Sequence, residues 1–198
     1  MISSCVHIDL ECIRMDLSPA KCEILRALLI NGEPTKAAQV ANEVGKEFPS
    51  VNMHLIGLKR IGYASSPEKG TYSITEKGKI ALGLPEISRE KALSLLAKTP
   101  REKAFHFYAG IGKPLNLYAH DLPEFCERIT KVGTESVWFH VARGDFEAWF
   151  ASLGDTELAR KTALLKERKL SGEDLRVKLG KIVENRCNEL SKKTRNTV

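Results

Sequence analysis

The spacing of hydrophobic positions changes several times along this chain, and each change predicts a new element. Val6, Ile8, Leu10 and Cys12 alternate with His7, Asp9 and Glu11. Period two over this length predicts a half-buried strand, at the edge of a small sheet or against a partner chain. From Ser18 the spacing becomes helical. Ser18-Pro19-Ala20 supplies an N-cap and a first-turn proline, Ile24, Leu25, Leu28 and Leu29 share a face, and Asn31-Gly32 stops the run. Pro34-Thr35 predicts a second helix with Ala38, Val40, Ala41 and Val44 inward and Gly45 at its end. A turn through Phe48-Pro49 leads to a third helix, with Ser50 as N-cap and Val51, Leu55 and Leu58 at i, i+4 and i+7. That stripe leaves Asn52, Met53, Ile56, Lys59 and Arg60 pointing outward. Gly62 ends the helix. Tyr63 and Tyr72 flank a hairpin turned by Pro67 and Gly70. Thr75 begins a fourth helix with Ile80, Ala81 and Leu82, closed by Gly83 and Pro85.

Beyond this point the composition shifts. Lys91 to Leu96 predicts a linking helix that ends before Pro100. Ala104-Phe105-His106-Phe107-Tyr108 reads as one strand and Ser136-Val137-Trp138-Phe139-His140-Val141 as another. Between them Asp121-Leu122-Pro123 caps a helix with Phe125 and Ile129. Three helices follow. Asp145 caps Phe146, Trp149 and Phe150, with Gly154 as the stop; Asp155 caps Leu158, Ala159, Thr162 and Leu165; Ser171-Gly172-Glu173-Asp174 opens the third as a capping box. The stripe of that last helix is Leu175, Leu179, Ile182, Val183 and Leu190. The expected class is α+β. The expected divisions are a domain over 1–87, a linking helix over 88–102, a mixed sheet-and-helix domain over 103–191 and a polar tail over 192–198.

Charge changes this picture. The net charge of +6 is not spread evenly. Residues 1–87 carry 10 Lys/Arg against 10 Asp/Glu, residues 88–156 carry 9 against 9, and residues 157–198 carry 12 against 6. Nucleic-acid binding by the first domain therefore requires its cations to gather on one face. The basic last segment is either a solvated helix face or a source of sequence-independent attraction to phosphates. The five cysteines form no C-x-x-C pair, which predicts buried reduced thiols rather than a disulfide framework or a zinc finger. No apolar run approaches the roughly 20 residues that cross a bilayer. The first residues lack a signal-peptide pattern, so a cytoplasmic location without membrane contact is expected.

Residues 18–83 resemble the winged helix-turn-helix domain of prokaryotic, archaeal-type transcriptional regulators. Such domains read as Thr-x-x-x-Ile-Ala, then Val-x-x-x-Leu-x-x-Leu-x-x-x-Gly, then Tyr-x-Leu-Thr-x-x-Gly after the wing. Thr35, Val40 and Ala41 match the first piece; Val51, Leu55, Leu58 and Gly62 the second; Tyr72, Ile74, Thr75 and Gly78 the third. The resemblance implies a regulator that reads duplex DNA with the helix 50–61 and the wing 64–72. Asn52 and Met53 would meet base edges. Thr35, Lys36, Lys46, Ser50, Lys59 and Arg60 would contact DNA around them, with Lys69 at the wing tip. Many DNA-reading members carry Lys or Arg just after the Leu55 position, where this chain has Ile56 and Gly57. Residues 103–190 resemble a domain of archaeal proteins of unassigned function, through Glu135 to His140, Arg143-Gly144-Asp145-Phe146, Leu153-Gly154-Asp155 and Ser171-Gly172-Glu173.

Other candidate chemistry is sparse. If the strands holding His106 and His140 pair, the two histidines could line one pocket with Arg143 or Asp145, yet no third metal ligand is evident. Arg186 falls inside the last apolar stripe and must be paired, with Asp145 or Asp155 as partners. Ala109-Gly110-Ile111-Gly112-Lys113-Pro114 lacks phosphate-loop spacing. No catalytic motif and no cofactor is expected. The function expected is a DNA-binding regulator acting as a homodimer, since one short helix gives limited contact. Leu175, Leu179, Ile182 and Leu190 are either its interface or monomer core. The alternatives are an adaptor that docks its winged helix on a protein, and a sensor with a small-molecule or protein effector at the C-terminal domain.

Overall fold

The computed structural model describes residues 17–168 and 170–195. The expected strand over residues 6–12, with His7, Cys5 and Cys12, lies outside the described residues. The chain is mixed α+β and divides into two units, one ending at Glu86 and the other beginning at Ile87. Among the described residues no helix is long and apolar enough to cross a membrane.

The first unit runs α1 (Pro19–Asn31), β1 (Thr35–Lys36), α2 (Ala37–Val44), α3 (Phe48–Arg60), β2 (Ala64–Ser65), β3 (Thr71–Ile74) and α4 (Glu76–Ala81). Its three-stranded antiparallel sheet has the order β1-β3-β2. Helix α1 closes at Gly32 with φ 66°, as its Asn-Gly end predicts. Helix α2 starts later than expected. Thr35 and Lys36 are extended and pair with Tyr72 and Thr71, so Ala37 rather than Ala38 is buried and Val44 is only half-buried. Helix α3 begins earlier than expected. Glu47 is its N-cap residue and Phe48-Pro49 its first turn, which leaves Ser50 inside the helix rather than capping it. Proline suits a first turn because its missing N–H would be unpaired there anyway.

The end of this unit explains the spacing of Thr75 and Gly78. The Thr75 hydroxyl accepts from the Gly78 N–H at 3.0 Å, capping α4, and donates to the Gly62 carbonyl at 2.7 Å, just past α3. A side chain at Gly78 would run into the Tyr63 carbonyl oxygen and the Ile74 side chain. Lys77 donates to the Ile61 carbonyl at 2.9 Å with its ammonium 5.3 Å from the Tyr63 ring centre. The junction thus ties the hairpin to the C-terminal end of α3.

The second unit runs α5 (Arg89–Leu96), a 3-10 turn at Arg101–Lys103, β4 (Phe105–Gly110), β5 (Lys113–Ala119), α6 (Leu122–Ile129), α7 (Thr134–Arg143), α8 (Asp145–Leu153), α9 (Thr156–Glu167) and α10 (Gly172–Arg195). Helix α5, expected as a linker, packs on α10 within this unit. The expected strand over 136–141 is helical. Ser136, Val137, His140 and Val141 are buried together, a helical face, and Trp138 is exposed. The apolar run Val137-Trp138-Phe139 fits either period when read alone. The true partner of β4 is β5, joined to it through Ile111 and Gly112 at φ 70°. The Gly-rich stretch is therefore a hairpin end.

An aromatic core sits between this hairpin and helices α6 and α8. Phe125 packs edge-on to Phe146 at 5.2 Å and stacks on Trp149 at 5.5 Å. The Trp149 indole N–H donates to the Lys103 carbonyl at 2.9 Å. The stripe Leu175, Leu179, Ile182, Val183 and Leu190 is monomer core, each residue buried inside its own unit. It is not available as a dimer interface. Arg186, within that stripe, is fully buried. Its Nε and Nη2 reach the two oxygens of Asp155 at 2.8 and 3.0 Å, and Nη1 reaches Glu157 at 2.7 Å and Glu189 at 3.1 Å. Burial pulls its pKa down, and the charges of Glu157 and Asp155 more than reverse this. Asp155 also caps α9, accepting from the Leu158 N–H at 3.0 Å. Asp145, the other expected partner, takes no part. The expectation of reduced thiols fails at Cys22, which is disulfide-bonded, and holds at Cys126 and Cys187, which are free thiols. An odd total of cysteines still leaves room for one bridge.

Two outcomes test these contacts. Gly78→Ala should destabilise the chain by about 1–3 kcal/mol, read by circular dichroism during urea unfolding. Arg186→Met, which strands buried carboxylates, should cost about 3–5 kcal/mol, read by the fluorescence of Trp138 and Trp149.

Candidate functional site

Helix α3 buries Val51, Leu55 and Leu58 against the rest of its unit. At 3.6 residues per turn, Met53 and Arg60 fall opposite that stripe, Ile56 and Gly57 lie beside them, and Asn52 and Lys59 occupy one flank. Met53 is 69% exposed, Phe48 49% and Ile56 41%, while Asn52 is half-buried. The outward crest is therefore apolar toward its start and basic at its end. Phe48 was missed as a surface residue because Phe48-Pro49 was read as a turn; Pro in a first helical turn is the signal that could have found it.

The expected phosphate contacts separate into two groups. Among the described residues Lys36, Lys59, Arg60 and Lys69 form no ion pair. Tertiary structure brings two of them together. Lys36 lies opposite Thr71 in the β1–β3 ladder, and the Ala37 N–H donates to the Gly70 carbonyl at 3.1 Å. The hairpin tip holding Lys69 is thereby tied to the start of α2. Lys46 and Thr35 are otherwise engaged. Lys46 pairs with Glu23 of α1 at 3.0 Å. Thr35 is buried, its hydroxyl donating to the Glu33 carbonyl at 2.9 Å. Ser50 is exposed in the first turn of α3.

The second unit holds a different cluster, around His140. Strand β4 and helix α7, rather than two paired strands, bring His106 and His140 to one cavity, with Arg143 and Asp145 also in its wall. The buried His140 receives the Tyr108 backbone N–H on Nε2 at 2.9 Å. A backbone N–H can only donate, so Nε2 carries no proton and Nδ1–H donates to Asp145 at 2.8 Å. Burial lowers the pKa of this ring, against the opposing pull of Asp145. Asp145, expected as a cap, makes no capping hydrogen bond; Gly144 is the N-cap residue. Its carboxylate instead holds His140 and the Arg143 Nε–H, the latter at 3.1 Å. With both ring nitrogens taken, His140 offers neither a lone pair to a metal nor a base to a substrate. Among the described residues no group of three or more His, Cys, Asp and Glu side chains could hold a metal ion.

A family model described as a family of unknown function, DUF5752, matches residues 87–184. The second unit is similar to that family, and the match starts at Ile87, so it includes α5. No curated protein and no solved structure matches the chain.

The His140 cluster sets a pH dependence. The unfolded chain binds a proton near the ordinary value of 6.5, whereas the folded one resists it. Stability from this residue is complete above that value and is lost as the pH falls below it. Denaturant unfolding across this range should show the wild type losing more stability toward acid than His140→Gln; parallel profiles would contradict the assignment.

Proposed function

We propose that the first unit is a winged helix-turn-helix that binds duplex DNA as part of a homodimeric transcriptional regulator. The observation that carries the reading is the order α1-β1-α2-α3-β2-β3-α4 around a β1-β3-β2 sheet, with α3 buried by one narrow stripe and otherwise outward. This is the arrangement in which a third helix enters the major groove and a hairpin flanks it. Lys59 and Arg60 at the end of α3, with Lys36 and Lys69 at the wing, supply phosphate contacts, and Asn52 and Met53 supply base contacts. Thr35, buried, contributes to holding the frame, while Lys46 is held in a surface ion pair with Glu23. The dimer interface lies elsewhere than the Leu175 stripe.

A second reading has its own observation. Phe48, Met53 and Ile56 place exposed apolar surface on α3, where a protein partner would gain from covering it. The two readings respond oppositely to salt, because phosphate contacts release counterions and apolar ones do not.

A mixed-sequence duplex titrated at low and raised salt separates them. Wild type is expected to bind at low salt and weaken steeply as salt rises. Lys59→Ala/Arg60→Ala should reduce the salt slope by about 2, roughly one for each lost phosphate contact. Absence of binding even at low salt sinks the DNA reading. Binding indifferent to the double substitution moves the contact to another basic surface, such as the C-terminal segment.

A further inference from the structure

The second unit contains a cavity of about 370 Å³ between the tip of the β4–β5 hairpin and the corner where α7 meets α8. That is the size of pocket that encloses a small molecule. Its polar wall is built in layers. The Tyr108 N–H fixes His140, His140 fixes Asp145, and Asp145 holds the Nε edge of Arg143. The Arg143 guanidinium also lies over the Phe139 ring, 5.2 Å from its centre. Its torsional freedom is therefore limited before any ligand arrives. Its Nη1 and Nη2 have no hydrogen-bond or ion-pair partner among the described residues. Among the described residues Asp145 is the one carboxylate in the cavity wall, and both of its oxygens are already engaged by Arg143, one of them also by His140.

The remaining wall is apolar and aromatic. Tyr108 and Phe139 face the space, and Ile111 stands at the hairpin tip, 86% exposed between two glycines. Contact with the apolar part of a molecule in the cavity would remove some of this isoleucine's surface from water. His106, paired with Tyr118 in the β4–β5 ladder and packed edge-on to its ring at 4.6 Å, is exposed at the mouth, and its imidazole makes no hydrogen bond among the described residues.

We infer that this cavity binds a small carboxylate with an aromatic or branched apolar body. The two Nη groups of Arg143 present a fork that matches a carboxylate in plane and spacing. Phe139, Tyr108 and Ile111 receive the body. Asp145 neutralises part of the Arg143 charge, so affinity comes mainly from the apolar contact, and the fork supplies discrimination against uncharged analogues. This site does not depend on the DNA reading and stands or falls separately from it.

The test is calorimetric titration of the full chain with phenylacetate, benzoate and isovalerate, with phenylacetamide as the uncharged comparison. At least one carboxylate should bind with a Kd of about 1 mM or tighter, and phenylacetamide at least about tenfold more weakly. Arg143→Gln should abolish the preference for the carboxylate. Ile111→Ser should weaken acid and amide by the same factor. Arg143 is half exposed and Ile111 nearly fully so, and thermal unfolding of both variants checks that the unit remains folded. Arg143→Lys, which keeps the charge and loses the fork, should retain only part of the preference. Failure of all three carboxylates to bind overturns the inference, as does wild-type discrimination in Arg143→Gln.

Discussion

Arg186 is the side chain on which the second unit turns. A guanidinium taken wholly out of water is tolerable only with its charge and donors met. Asp155 meets it with both oxygens, and Glu157 and Glu189 take a third nitrogen. Lys161, itself buried, balances Glu157 at 2.6 Å. This network does two jobs in one place. It holds the start of α9 against the middle of α10, and through the Asp155 cap it defines where α9 begins. A buried cluster with such directional demands admits one register between those helices, whereas the surrounding leucines alone would tolerate several.

The same device recurs at the next helix start up the chain. Asp145 stands at the beginning of α8 and leaves the helix uncapped in order to hold His140 and Arg143. The consequence differs because the setting differs. Asp155 is sealed in and serves the core, whereas Asp145 borders a cavity and positions a guanidinium with open donors. Two acidic residues at the starts of successive helices, Asp145 at the first helical position and Asp155 at the N-cap, thus end up at a cavity wall and in the core, decided by which elements pack over them.

The first unit is organised around a backbone junction rather than an ion cluster. Thr75, Gly78 and Lys77 bind the exit of the hairpin to the last turn of α3. Because α3 carries the outward face, these three residues hold that helix from behind against the hairpin. The face is mixed, with Phe48, Met53 and Ile56 beside Lys59 and Arg60.

Periodicity was sufficient for what depends on neighbours along the chain. The stripes Val51-Leu55-Leu58 and Leu175-Leu179-Ile182 are buried as spaced, Gly32, Gly62 and Gly154 follow helices at positive φ, and Asp121, Asp155 and Thr75 cap as read. The burial of Arg186 was legible for the same reason, from helical arithmetic alone. Tertiary structure decided everything that depends on a distant partner. Residues 136–141 form a helix packed on β4, whose ladder partner is β5, and the alternation Leu115-Leu117-Ala119 is the sequence signal for that strand. Thr35 and Lys36 became strand because Thr71 and Tyr72 pair with them. Whether Asp145 or Asp155 answered Arg186, and whether Lys46 faced solvent or Glu23, turned on packing between helices. A side chain's type and period set which face it prefers, but only the assembled unit determines what stands opposite that face.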